Sequence, residues 1–307
     1  MMRPICAVAV WTILVSLNAT SFIEAQTSQV VYTTSEAFYG LKWDVAHAGQ
    51  PLKLDWYRLT FHDDFDRLNV TPDGSKGPWF APVHGPFGAA KFLPPGRDGP
   101  FSIVDNALAI RADKVNGKWR SGLMQTVDSK GRGFAQRYGY FEMRAKFPPG
   151  RGTWPAFWLL SQNGCTDNTA TRTEIDVVEW YGGDPKGHHA SVHLWPARQP
   201  KPGAITKHVF KSQYCNLKAV LADGQLAGWH TYGAEVTPEW VIVYFDQKEL
   251  GRYPTLPEFR TPLYMVVDLA ILPAEADVAS NPKEMRIAYV RAYANANLSP
   301  MPKVSAR

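Results

Sequence analysis

The alternation of apolar and polar residues along this chain has the period of strands rather than helices. Its clearest case is Tyr138–Phe147. There Gly139, Phe141, Met143, Ala145 and Phe147 predict a core face, and Tyr138, Tyr140, Glu142, Arg144 and Lys146 a face toward water or a cleft. After the turn Pro148-Pro149-Gly150, the run Trp154–Leu160 is apolar throughout and predicts a strand buried on both faces. Leu54–Phe61 alternates loosely. Further strands are predicted at Phe101–Val104, Ala107–Ala112, Ala190–Trp195, Trp229–Val236, Trp240–Phe245, Pro262–Leu272 and Met285–Tyr293. Asp105-Asn106, Asp223-Gly224 and Asp246-Gln247 supply turns, and Asn69–Asp98, full of Gly, Pro and aromatic residues, predicts a long ordered surface loop. No repeat and no linker divides Leu54–Ala294. The pattern predicts one all-β domain of two sheets packed face to face, covering residues 54–296, with an extended arm at 26–53 and a tail at 297–307.

One predicted strand breaks the pattern. Thr173–Gly182 sets Glu174, Asp176 and Glu179 among Ile, Val, Trp and Tyr. Glu174 and Asp176 share a face by simple alternation, whereas Glu179 falls on the other. One extra residue at Val177–Val178, a β-bulge, would return it to the carboxylate face, a device common beside active sites. Three crowded acids repel one another, which suits a metal site or paired acid and nucleophile chemistry. A solvated polar edge would carry the same letters.

Composition narrows the choice. The 11 Trp, 13 Tyr and 15 Phe, with 24 Gly and 24 Pro, favour many short strands joined by turns. The net charge of +5 comes without a dense basic run, which argues against a nucleic-acid partner and suits an anionic polymer. At the start, Arg3 precedes the apolar run Ile5–Leu17, and Ile23-Glu24-Ala25 offers a cleavage site. Residues 1–25 therefore predict an export signal, with an uncleaved anchor as the alternative, and a secreted or periplasmic protein with no membrane contact after cleavage. Cys6 would leave with that signal. In an oxidising compartment the remaining Cys165 and Cys215 would pair as a disulfide, the alternative being two buried thiols.

Aromatic residues gather near the acids. Trp154 and Trp158 share a strand face, Trp180 adjoins Glu179, and Trp195 follows His193. Indole packs on the flat C–H faces of sugars, so these residues suggest a carbohydrate groove, although core packing is the commoner use of tryptophan. His188, His189 and His193 match no standard zinc spacing.

Five segments in order resemble glycoside hydrolase family 16: Tyr138–Lys146 (YGYFEMRAK), Gly152–Leu160 (GTWPAFWLL), Glu174–Glu179 (EIDVVE), His230–Trp240 (HTYGAEVTPEW) and Tyr289–Tyr293 (YVRAY). The resemblance implies a β-jelly-roll, concanavalin A-like sandwich whose concave face binds a β-linked polysaccharide. It implies retaining hydrolysis of internal bonds, with Glu174 as nucleophile, Asp176 as supporting acid and Glu179 as general acid/base. Trp154, Trp158, Trp180, His193 and Trp195 would line the sugar site. Gly131–Tyr140 and Val236–Leu272 look closer to bacterial glycanases that trim acidic exopolysaccharides. Thr166–Thr173 lacks the Trp-Pro that laminarinase-like members carry there. No cofactor is expected, and a structural calcium is doubtful because Ala288 stands where many relatives have an Asp that can support one. A glycan-binding protein and a transglycosylase on the same fold remain the other readings, and the sequence is silent on oligomeric state.

Overall fold

The computed structural model describes residues 34–81, 87–217, 221 and 226–298. The export signal, Cys6, the Asp223-Gly224 turn and most of the predicted tail lie outside these residues. A short helix α1 (Thr34–Tyr39) precedes the strands β1 (Tyr57–Asp63), β2 (Val70–Thr71), β3 (Trp79–Phe80), β4 (Ala90–Phe92), β5 (Phe101–Val104) and β6 (Ala107–Val115). Next come β7 (Lys118–Ser121), β8 (Leu123–Gln125), β9 (Gly139–Lys146), β10 (Thr153–Ser161), helix α2 (Asn163–Thr166), β11 (Arg172–Glu179) and β12 (Gly187–Trp195). The chain finishes with β13 (Val209–Asn216), β14 (Trp229–Val236), β15 (Trp240–Phe245), β16 (Lys248–Pro254), β17 (Leu263–Ile271) and β18 (Lys283–Asn295).

These strands form the two predicted sheets. The first runs β16-β15-β14-β9-β18-β6-β7-β4, with β1 added to β18 and β5 to β6. The second runs β13-β12-β11-β10-β17-β8-β3-β2. Phe141, Met143, Ala145 and Phe147 meet Phe157, Leu159, Ile175 and Val267 between the sheets. The odd positions of β9 thus face the core as their alternation requires. Its even positions Tyr140 and Glu142 are also buried, because the outer face of this sheet is covered. Tyr140 packs there with Ile242 and Tyr244 under Leu52, Leu54 and Tyr57.

Part of the cover comes from the arm, which packs closely on the sheet. Phe38 and Leu41 enter the core, and Asp44 and Pro51 bridge to Arg252 and Lys248 of β16. Trp43 lies so close over Gly251 that a Cβ there would come 2.5 Å from the indole, at a backbone φ of +155°. Only glycine admits both the approach and the torsion. The predicted surface loop Asn69–Asp98 likewise contributes β2, β3 and β4, with Trp79 fully buried. Spread-out apolar residues in a Gly- and Pro-rich stretch carry no period, so only the packed structure shows that they belong to the core.

The expected disulfide is absent. Cys165 and Cys215 are free thiols in separate apolar clusters. Cys215 stands opposite His188 at one end of β12. Cys165 adjoins Gly164, which packs under Arg172, and Arg172 pairs with Trp195 at the other end of β12. Seven residues of strand separate these ends, roughly 23 Å, whereas a disulfide needs Cα atoms within about 7 Å. Burial alone pushes the Cys215 thiol up to about 12, which keeps it an unreactive core group.

Candidate active site

The outer face of the second sheet carries an open cleft of about 700 Å³. Its floor follows from strand register. On β11, Arg172, Glu174, Asp176 and Glu179 point into the cleft, while Ile175, Val177 and Val178 point into the core. The change of rhythm is the inferred bulge: Asp176 and Glu179 pair with Ser191 and His189 on β12, so three steps on one strand meet two on the other. The same shift appears against β10, where Phe157 pairs with Val178 and Trp158 with Asp176. Val177 is the extra residue. Burying Val177 and Val178 together is worth roughly 2 kcal/mol each, which helps offset the cost of gathering three acids on the other side.

Each acid has a distinct setting. Glu174 accepts a hydrogen bond from Trp195 Nε1 at 2.9 Å, and Glu179 accepts one from Trp154 Nε1 at 3.2 Å. Ser191 Oγ lies 3.5 Å from the second oxygen of Glu179. Asp176 lies between them with an oxygen 2.7 Å from His193 Nε2, and Glu174 is 3.9 Å from the same nitrogen. The ring N–H does not point along the short Asp176 contact, so the two groups touch without an aligned hydrogen bond. His193 Nδ1 shares a 2.9 Å hydrogen bond with His208 Nε2, and His208 stacks on Trp195 with ring centroids 3.6 Å apart. Phe210 continues this aromatic wall, while Trp154, Tyr181, His189 and Tyr214 form a second wall at the Glu179 end.

Burial dominates the ionisation of the site. It pushes Glu174 up to about 8, assisted by the charge of Asp176 and opposed by His193 and the Trp195 indole. Burial and Glu179 push Asp176 well above the usual carboxylate range. Glu179 is raised by burial too, against the pull of His193, Trp154, Ser191 and Tyr181. Burial lowers His193, which favours the neutral imidazole. Four carboxyls share the site, because Asp268 of β17 also lines the cleft, accepts Trp158 Nε1 at 2.9 Å and is raised by burial. Like charges this close do not all ionise, so the cluster holds protons near neutral pH. Among the described residues, Glu174, Asp176 and His193 are the one group of donors near enough to share a metal ion, with ligand atoms within 4.8 Å of one another. At the position the resemblance assigns to calcium, Ala288 brings only a methyl group to the irregularity between β18 and β9.

The structure gathers Trp154, Trp158, His193 and Trp195 around the three acids as expected. Trp180 is the exception. It is fully buried, stacks on Phe147 and donates its indole N–H to the Asp184 carbonyl at 2.6 Å. Glu179 faces the cleft, so the residue after it turns inward by alternation, and proximity in sequence does not make it a sugar contact. Sequence reasoning also missed Asp268, Arg172, His208 and Tyr264. Asp268 had a signal, a lone acid inside the apolar run Leu263–Ile271; His208 had none, since it lies outside any periodic segment.

The family model for glycosyl hydrolases family 16 matches residues 97–291, most of the chain and both strands that frame the acids. The chain belongs to glycosyl hydrolases family 16. Two Rhizobium meliloti (strain 1021) relatives stand out within it. Endo-1,3-1,4-beta-glycanase EglC is 34% identical over 280 residues, and endo-1,3-1,4-beta-glycanase ExsH is 32% identical over 261. These alignments cover 81% and 76% of this chain but 55% and 51% of the relatives, so the chain spans about half the length of the curated relatives it matches. Among solved structures of the family, SCLam, a non-specific endo-beta-1,3(4)-glucanase, superposes with a TM-score of 0.62 at 21% identity, covering 83% of this chain and 97% of that one. That likeness confirms the family 16 jelly roll as the fold.

Proposed function

We propose that this family 16 protein is an endo-acting, retaining β-glycan hydrolase that cuts internal β-1,3 or β-1,4 linkages. The observation that carries the reading is the bulge at Val177, which brings Glu179 to the same face as Glu174 and Asp176 between two aromatic walls. A retaining glycosidase needs one carboxylate to attack the anomeric carbon and one carboxylic acid to protonate the departing oxygen, on groups about 5–5.5 Å apart. In this reading Glu174, ionised, attacks C1 and forms a glycosyl-enzyme while Glu179 gives its proton to the leaving oxygen. Glu179 then takes a proton from water, which displaces the sugar from Glu174. Asp176 and His193 flank Glu174 and hold it oriented. The raised carboxyls make a proton available but do not choose between the two glutamates; the order on the strand, matched to the family, does.

The open cleft suits an internal stretch of polymer rather than a chain end. The net charge of +5 favours a glycan that bears acidic groups, and the apolar run after Arg3 supports export to the periplasm or medium. Both catalytic glutamates are present, which favours an enzyme over a binding-only relative. The test incubates the protein with laminarin, mixed-linkage β-glucan and an acidic exopolysaccharide, sizes the products and follows the anomer first released by NMR. Glu174→Gln runs alongside. Short oligosaccharides from a mid-chain cut, released first as the β-anomer and absent with the variant, are expected. Binding without cleavage, or cleavage that survives the substitution, would overturn the reading.

A further inference from the structure

Two guanidinium groups stand at the Glu174 end of the cleft without a salt bridge. Arg172 and Arg198 both line it, and among the described residues neither forms an ion pair. Their protein contacts are to neutral acceptors. Arg172 donates from Nε and Nη2 to the Pro196 carbonyl at 3.4 and 3.2 Å. Arg198 donates from Nη1 to the Gly164 carbonyl at 3.0 Å and to Asn168 Oδ1 at 3.2 Å. An arginine presents five N–H donors in a planar fork, so each retains donors that no protein group takes.

The arrangement is built rather than incidental. Gly164 connects the two side chains: its carbonyl holds Arg198, and its missing side chain makes room for Arg172, whose Cγ would lie 2.7 Å from a Cβ there. The two charges feel each other, since burial and the neighbouring Arg198 lower the pKa of Arg172 against the attraction of Glu174. Glu174 attracts Arg172 without forming a salt bridge to either arginine, and an oxyanion between the two guanidinium groups would relieve their repulsion. Neutral glucan supplies no such group.

We propose that Arg172 and Arg198 form a subsite for an acidic substituent, a carboxylate or sulfate ester, carried by the polysaccharide in the cleft. Arg172 is two strand residues from Glu174, about 7 Å along the backbone. The acidic group therefore belongs to a sugar next to the one whose anomeric carbon meets Glu174. The inference rests on the hydrolase reading for the identity of the polymer, not for the chemistry of the pair.

One mixed-linkage β-glucan is derivatised to equal extent with succinyl, sulfate or neutral acetyl esters. Binding to the full chain carrying Glu174→Gln is measured by affinity electrophoresis, and kcat/KM by reducing ends on the unmodified chain. The succinylated polymer should bind about tenfold more tightly than the acetylated one at low salt, with the gain lost at high salt. A gain on the sulfated polymer alone would identify a sulfate as the substituent. Arg198→Gln and Arg172→Gln should each bring the ratio of charged to acetylated binding toward one, with Arg198→Lys restoring part of it. Arg198 is exposed, so its variants keep the test informative if Arg172→Gln folds poorly. Equal binding of all three esters, or a preference that survives both substitutions, would overturn the subsite. Cleavage of acetylated glucan without charge preference would end the subsite and leave the hydrolase reading intact. Charge-dependent binding without cleavage of any polymer would do the reverse.

Discussion

Replacing Glu174 by glutamine should stabilise the fold by an amount that grows with pH. In the unfolded chain this carboxyl ionises near 4.5, and in the folded cleft near 8. Between those values the native state holds a proton that the unfolded state has released, so stability falls as pH rises. The full difference corresponds to roughly 5 kcal/mol once pH exceeds the folded value. The side chain keeps 15% exposure and the cleft admits water, so about half of that, roughly 2–3 kcal/mol, is the expected difference. Glutamine matches the shape, keeps an oxygen for the Trp195 indole and carries no charge. At about 2 °C per kcal/mol for a domain of this size, the variant should melt roughly 5 °C higher near pH 8.5 and within about 1 °C of the parent near pH 4.5. Differential scanning calorimetry of both proteins across that range, at two scan rates, measures the difference. The raised acids Asp176 and Asp268 remain in both proteins and largely cancel. A melting difference independent of pH, or a variant that melts lower at the alkaline end, would refute the placement of Glu174 as a destabilised buried acid.

Further outcomes follow from the same geometry. Trp195→Phe removes a donor to the ionised form of Glu174, worth roughly 1.5–3 kcal/mol for a charged acceptor; kcat/KM should fall about tenfold or more and the acid limb of its pH profile should move upward. Deleting Val177 removes the extra residue, so Glu179 falls two positions after Asp176 and stays on the cleft face by simple alternation, at the cost of one buried valine, roughly 2 kcal/mol. Thermal unfolding followed by circular dichroism and a hydrolysis assay should show a modest loss of stability with activity retained, and a variant that folds but shows no activity would disprove Val177 as the extra residue. Trp180→Ala should destabilise by roughly 3–5 kcal/mol in urea unfolding, with KM of the folded fraction little changed. A thiol titration of the denatured, unreduced protein should find Cys165 and Cys215 free, and a Cys165–Cys215 peptide in a non-reducing digest would contradict the strand register.

Much of this was legible along the chain because strand alternation is a local rule. The ranges predicted for the strands at Trp229–Val236 and Trp240–Phe245 match those observed, and the Asp105-Asn106 and Asp246-Gln247 turns take positive φ angles, which Asp and Asn adopt more readily than most residues. The bulge was inferable as well, since only an extra residue reconciles Glu179 with its neighbours. What was missed depended on partners distant in sequence. β13 is largely polar and exposed on one side, so it lacks the signature of a buried strand, and it forms because β12 offers its edge. The arm's packing was not legible because its few apolar residues, Phe38, Leu41, Trp43 and Leu52, find their sites only on strands distant in sequence.

The sequence by itself determined the sandwich, the carboxylate strand and the face on which three acids meet, because each follows from side-chain alternation within a few residues. Only the tertiary structure decided that Trp180 belongs to the core, that the two cysteines stand at opposite ends of a strand, and that Asp268, His208 and the arginine pair complete the cleft. Those facts rest on register between strands and on where a packed sheet excludes water, and neither is set by any one segment alone.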